Sequence, residues 1–120
     1  MNSIKLLPVG GLLILAMMAG CAKEPSGEAA VAESNSRQMQ PQDPSLAAIY
    51  KRSCHSCHTV AATGAPLTGD SAAWAVRMDK GMSVLVGNVV NGFGGMPPFG
   101  MCMDCGIEEF EALIDFVESW

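Results

Sequence analysis

Positive charge is scarce in this chain: seven Lys and Arg stand against twelve Asp and Glu, a net charge of −5 over 120 residues. A surface of that balance does not gather along a phosphate backbone, so nucleic acid is excluded as a partner. Long apolar runs are missing too. The longest stretch, Leu6 to Met18, is interrupted by Pro8, Gly10 and Gly11 and is too short to span a bilayer. No internal repeat is present, and the length leaves room for one small domain and no second one. Histidine is limited to His55 and His58, and cysteine to five residues. A closed zinc site built on the cysteines beside those histidines lacks the further partners it needs.

What is present is concentrated in a few short motifs. Cys54-His55-Ser56-Cys57-His58 has the Cys-x-x-Cys-His spacing at which haem c is covalently attached. Each thiol can add to one vinyl group, and the residue after the second Cys carries its imidazole to the iron. Cys54 and Cys57 are therefore the expected attachment points and His58 the expected proximal ligand. His55, inside the motif, is expected to face solvent.

Such chemistry belongs to an oxidising, exported compartment. Lys5 followed by Leu6 to Met18 has the form of a signal peptide, expected over residues 1–20. Met18-Ala19-Gly20-Cys21 resembles the lipobox of bacterial lipoproteins, with Met18 where Leu is usual. Cys21 is thus expected to be acylated and to hold the mature chain to a membrane, several acyl chains giving a stable anchor where one is marginal. Ordinary cleavage near Ala22, with a soluble periplasmic product, and an uncleaved anchor are the alternatives. Ala22 rather than Asp follows the Cys, which by resemblance to Gram-negative lipoprotein sorting favours the outer membrane over the inner. Residues 21–43 are rich in Glu, Ser, Gln and Ala and poor in apolar bulk. They are expected as a disordered tether, leaving 44–120 as the folded domain.

The domain reads as all-helical. Asp43-Pro44 offers an N-cap followed by proline in the first turn, and Leu46, Ile49, Tyr50 and Ser53 share a face leading into Cys54. After a loop with Gly64, Pro66 and Gly69, Asp70 can cap a short helix through Trp74, Val76 and Met78, ending near Gly81. Ser83 can cap a third helix carrying Leu85, Val86, Val89 and Val90 and closed by Gly92, although its β-branched residues also suit a strand. Ile107, Phe110, Leu113, Ile114, Val117 and Trp120 repeat at three and four, with acids elsewhere, and predict the last helix. Between these two lies Phe93-Gly94-Gly95-Met96-Pro97-Pro98-Phe99-Gly100. The glycines allow close backbone approach to a flat cofactor and the prolines fix the path beyond, so Met96 is the expected second axial ligand. Met78 and Met82 read as packing residues, and Met101 and Met103 flank Cys102.

Taken in order, Tyr50-Lys51-Arg52-Ser53-Cys54-x-x-Cys57-His58, Gly64-Ala65-Pro66, Gly69-Asp70-x-Ala72-Ala73-Trp74-Ala75, Met96-Pro97-Pro98 and Cys102-Met103-Asp104-Cys105 resemble the cytochrome c5 family, from about Ser45 to Val117. The resemblance implies the class I cytochrome c fold, about four short helices wrapped around one covalently attached haem. It implies haem attachment at Cys54 and Cys57, His58 and Met96 as axial ligands, and a Pro66 carbonyl that holds the imidazole. It also implies a disulfide between Cys102 and Cys105, for which a redox-active dithiol and a metal site are the alternatives. Trp74 packs on the haem or simply in the core, and Arg77 pairs with a propionate or lies at the surface.

With both axial positions filled by the chain, the haem has no open position for a substrate, and the expected function is one-electron transfer rather than catalysis. By resemblance, the electron comes from a membrane quinol-oxidising complex or another cytochrome and passes to a terminal oxidase or reductase. A five-coordinate haem sensor or peroxidase-like enzyme is the competing expectation, as is a haem-free structural lipoprotein.

Overall fold

Asp43 opens the helix that leads to the Cys-x-x-Cys-His motif: its carboxylate accepts from the backbone N–H of Ser45 at 2.9 Å and of Leu46 at 3.0 Å, ahead of Pro44 in the first turn. The computed structural model describes residues 26–119, so the expected signal peptide, Cys21 and Trp120 lie outside the described residues. Helix α2, Pro44–Ile49, runs into a wider π turn at Tyr50–Cys54 and then into α3, His55–His58. Ile49, Tyr50 and Ser53 are buried, as their shared face predicts. The wide turn re-aims the motif relative to the helix before it, a use of π geometry common at functional sites.

The remaining elements wrap around that motif. Asp70 caps α4, Ser71–Met78, through the Ala73 N–H at 3.0 Å. Helix α5, Met82–Asn91, is a helix throughout, so the strand alternative falls. Its N-cap is Gly81 rather than Ser83, because the positive φ of 88° at Gly81 turns the chain two residues earlier. Helix α6, Ile107–Glu118, buries Phe110, Leu113, Ile114 and Val117, whereas Ile107, at its first turn, is 52% exposed. Glu109 Oε2 accepts from Gly106 N–H at 2.6 Å and caps that start. No strand occurs among the described residues, which hold only an isolated bridge between Phe93 and Met96. None of their helices is long and apolar enough to cross a membrane.

The core lies where α2, α4 and α6 meet, built on Ile49, Tyr50, Trp74, Phe110, Leu113 and Val117. A second cluster joins Leu85 and Val86 of α5 to Ile114 of α6. Of these, Trp74, Leu85, Phe110, Leu113, Ile114 and Val117 line the cleft described below.

The expected disordered tether over 21–43 needs correction. Residues Gly27–Gln38 form helix α1, so the first described element begins at Gly27, well before Pro44. Apolar burial contributes little to this helix, which buries one residue, Ser36. Its stability comes from other sources. Alanines 29, 30 and 32 favour helix, Arg37 pairs with Glu33 one turn earlier at 2.6 Å, and polar side chains tie the helix to the domain.

Candidate functional site

His58 is the last residue of α3, and its ring Nδ1 lies 2.8 Å from the Pro66 carbonyl. A carbonyl oxygen only accepts, so Nδ1 carries the proton and Nε2 keeps its lone pair. Burial pushes the pKa of His58 down; the Pro66 bond opposes this, and the nearby positive Arg77 adds to it. The imidazole is thus held neutral, the form in which it binds metals.

The strip Pro66-Leu67-Thr68 organises this side of the site through its backbone. The Pro66 carbonyl takes the His58 ring, the Leu67 carbonyl takes the buried Trp74 indole N–H at 2.8 Å, and Thr68 N–H donates to the His58 carbonyl at 2.7 Å. Thr68 Oγ1 and the buried Tyr50 hydroxyl lie 2.8 Å apart. Trp74, left open as a site or core residue by its sequence, stacks on the His58 ring with centroids 5.8 Å apart and planes 30° apart.

These groups face a cavity of about 380 Å³. Cys54, Cys57, His58, Pro66 and Met96 all lie on its wall, along with apolar Leu85, Val89, Phe110, Leu113 and Val117. Such a mostly apolar wall with a few convergent polar groups is the usual form of a cofactor site. Three observations fit a covalently attached haem. Cys54 and Cys57 are free thiols at the attachment spacing. His58 offers Nε2. Ser53 Oγ is buried on the same wall without a hydrogen-bond partner, an orphan that a bound polar group can serve. Burial pushes the Cys54 thiol up to about 11, with Arg52 opposing the shift and Cys57 adding to it, so Cys54 stays protonated at neutral pH.

Met96 reaches the wall from a tight turn. Phe93 and Met96 exchange backbone hydrogen bonds of 3.1 and 2.9 Å around Gly94 and Gly95. Gly92 enters the turn at φ 79°, where an added Cβ would lie 2.9 Å from the Met96 carbonyl oxygen. Gly100 makes room for the thioether, since a Cβ there would come within 3.2 Å of Met96 Cε. Met78 and Met82 pack against the α5–α6 cluster, while Met101 and Met103 are 70% and 72% exposed. Arg77 supplies a cationic group to the wall.

Cys102 and Cys105 are joined by a disulfide with a Cα–Cα distance of 5.4 Å, just before α6. Arg52 grips Asp104 at 2.9 and 2.8 Å and reaches Cys102 Sγ at 3.2 Å, so the π turn beside the motif is fastened to the disulfide loop.

Sequence reasoning missed the contribution of α1. Ser36 Oγ donates to the His58 carbonyl at 3.0 Å, and Glu33 Oε2 accepts from Ala61 N–H at 2.9 Å. His55 Nε2 sits 3.2 Å from the Arg37 carbonyl and its ring is edge-on to Tyr50, so it is partly covered instead of facing solvent. Nothing in a Ser or Glu of a polar segment signals such contacts. The burial of Tyr50 was legible from its helix face; its hydroxyl partner was not.

Comparison with known proteins shows which family the chain resembles. The profile of the family described as Cytochrome C oxidase, cbb3-type, subunit III matches residues 29–117, which includes most of α1. Cytochrome c5 of Azotobacter vinelandii is 38% identical over 68 residues, covering 55% of this chain and 82% of that protein. Cytochrome c5 of Ectopseudomonas mendocina is 37% identical over 68 residues, with 55% and 78% covered. Cytochrome c-555 of Chlorobaculum thiosulfatiphilum is 48% identical over 48 residues, with 40% and 56% covered. With its all-α fold and its cleft at Cys54-x-x-Cys57-His58, the chain belongs to the class I c-type cytochromes of the cytochrome c5 type, electron-transfer proteins and not enzymes, with one covalently attached haem c.

Proposed function

We propose that the protein is a one-electron carrier of a periplasmic respiratory chain, with thioether attachment at Cys54 and Cys57 and axial ligation by His58 and Met96. A haem held in this way supplies reversible one-electron exchange, and a thioether ligand raises its potential relative to a second nitrogen or an anion. The residues of the chain do the rest. Pro66 fixes the ring and tautomer of His58 and raises its basicity. The turn from Gly92 to Gly100 presents the Met96 sulfur, and the apolar wall keeps water from the cofactor. The single observation that supports this reading is the one cavity wall that carries Cys54, Cys57, His58, Pro66 and Met96 together.

The proposal extends to location and partners. Cys21 carries a lipid anchor, with the outer membrane favoured over the inner. The donor is a membrane quinol-oxidising complex or another cytochrome, and the acceptor is a terminal oxidase or reductase. Optical spectra of the holoprotein, oxidised and reduced, with and without carbon monoxide, test the ligand set. The expected result is a low-spin c-type spectrum with the far-red ferric band of Met sulfur ligation, unmoved by carbon monoxide. A high-spin spectrum that shifts with carbon monoxide would remove Met96 as a ligand and favour a gas-binding or peroxidatic haem. Fractionation of Cys21→Ala tests the anchor, with a soluble periplasmic product expected and membrane retention counting against it.

A further inference from the structure

A helix C-terminus leaves its last carbonyls without internal partners, and the His58 carbonyl at the end of α3 is one of these. Two donors from distant parts of the chain reach it: Thr68 N–H at 2.7 Å and Ser36 Oγ at 3.0 Å, the latter from 22 residues away. Ser36 is 0% exposed, in a helix whose other residues are exposed or half-buried. Its hydroxyl is thus buried for a single side-chain contact, the peptide of the histidine that completes the attachment motif. Neighbouring positions of α1 repeat the pattern. Glu33, three residues before Ser36, takes Ala61 N–H, and the Arg37 carbonyl takes His55 Nε2. Residues three and four apart share a helix face, so one face of α1 meets the motif and the loop after it at three points.

We infer that α1 is a latch on the proximal wall and that Ser36 is a positioning residue for His58, acting through the His58 peptide. The inference rests on the reading of His58 as an axial ligand. The imidazole is then fixed at both ends, at its ring by the Pro66 carbonyl and at its backbone by Ser36 and Thr68. Loss of the Ser36 hydroxyl leaves the carbonyl on Thr68 alone, and a peptide free to tilt carries the ring away from its best alignment with Pro66. A weaker bond to Nδ1 makes the imidazole less basic, which disfavours the ferric state more than the ferrous.

The test uses the full holoprotein as wild type, Ser36→Ala, Ser36→Thr and Glu33→Ala, reading midpoint potential, ferric electron paramagnetic resonance and melting temperature. Ser36→Ala is expected to shift the one-electron equilibrium about threefold toward reduction, about 28 mV at 59 mV per tenfold, and to move the ferric g-values that report ligand orientation. Ser36→Thr, which keeps the hydroxyl, is expected to restore both. Glu33→Ala, at the surface, is expected to shift the potential in the same direction by less. A Ser36→Ala protein that melts earlier with unchanged potential and g-values would overturn the inference and leave α1 as a stabilising element alone. Should Ser36→Ala fail to fold, Glu33→Ala decides, an unchanged potential overturning the latch. A wild-type spectrum without His ligation would instead overturn the reading of His58 itself, before any variant is compared.

Discussion

Gly92 and Gly94 both have positive φ, at 79° and 58°, yet replacing them with alanine has different consequences. At Gly92 the added Cβ meets backbone: the Met96 oxygen at 2.9 Å, Pro98 N at 3.1 Å and Pro98 Cδ at 3.2 Å. At Gly94 nothing lies within 4 Å. Gly92, with ψ 155°, also lies in a region open to glycine almost alone, and forcing alanine into it costs about 2 kcal/mol. Displacing the packed backbone that presents Met96 adds about 2 kcal/mol more. Gly94→Ala bears only the left-handed cost of about 1 kcal/mol. For a domain of this size, 1 kcal/mol corresponds to about 4–8 °C in melting temperature. Thermal unfolding of the holoproteins should therefore show Gly92→Ala lower by about 15 °C or more and Gly94→Ala lower by about 4–8 °C. The far-red ferric band should weaken in the first alone, since the clash is with the Met96 segment. Equal losses in the two variants, or a Gly92→Ala protein that melts within a few degrees of wild type with its band intact, would refute the reasoning.

Three further outcomes follow from the site. Cys102→Ser with Cys105→Ser is expected to keep the haem but lose about 2 kcal/mol in urea titration, the value for so short a loop; lost electron transfer at full stability would reassign the pair as a redox dithiol. Trp74→Phe removes one of two donors to the Leu67 carbonyl, which still accepts from Asp70 N–H, and should cost about 0.5–1.5 kcal/mol by the same titration, with the His58 ring signals in proton NMR displaced by the smaller ring beside it. Because burial lowers the pKa of His58 in the folded state, the unfolded chain binds a proton that the folded chain does not. Stability from this group is full above the ordinary histidine value and falls as pH drops below it, by up to about 1.4 kcal/mol per pH unit. Denaturant midpoints measured from pH 7 to pH 5 check this, and a midpoint flat across that range would count against it.

How much was legible depended on whether a residue acts by type or by partner. Asp43 and Asp70 announce their helices because a capping carboxylate needs only the next three residues, and both caps form as expected. Phe110, Leu113, Ile114 and Val117 are legible because a buried stripe follows from spacing alone. The cleft residues were legible as motifs, the fixed spacing of Cys54, Cys57 and His58 being chemistry written into the chain. Helix α1 was not, because its docking depends on Glu33, Ser36 and the Arg37 carbonyl finding partners 18 to 28 residues away, and a polar residue reads the same whether it meets water or a peptide. Ser83 misled for a related reason: a capping side chain competes with a glycine that can turn the chain by itself, and Gly81 won.

The strip from Pro66 to Thr68 serves the His58 ring, the Trp74 indole and the end of α3, in each case with a main-chain atom. Main-chain bonds leave amino-acid type along the strip to the path of the chain and to packing, except at Thr68, whose N–H excludes proline and whose Oγ1 meets the Tyr50 hydroxyl. For anyone grafting this cofactor site onto another scaffold, the unit to transplant is therefore a piece of backbone geometry, the turn that holds these three peptides in place, together with the attachment motif. Copying Cys54, Cys57 and His58 without that turn would leave the imidazole free to wander.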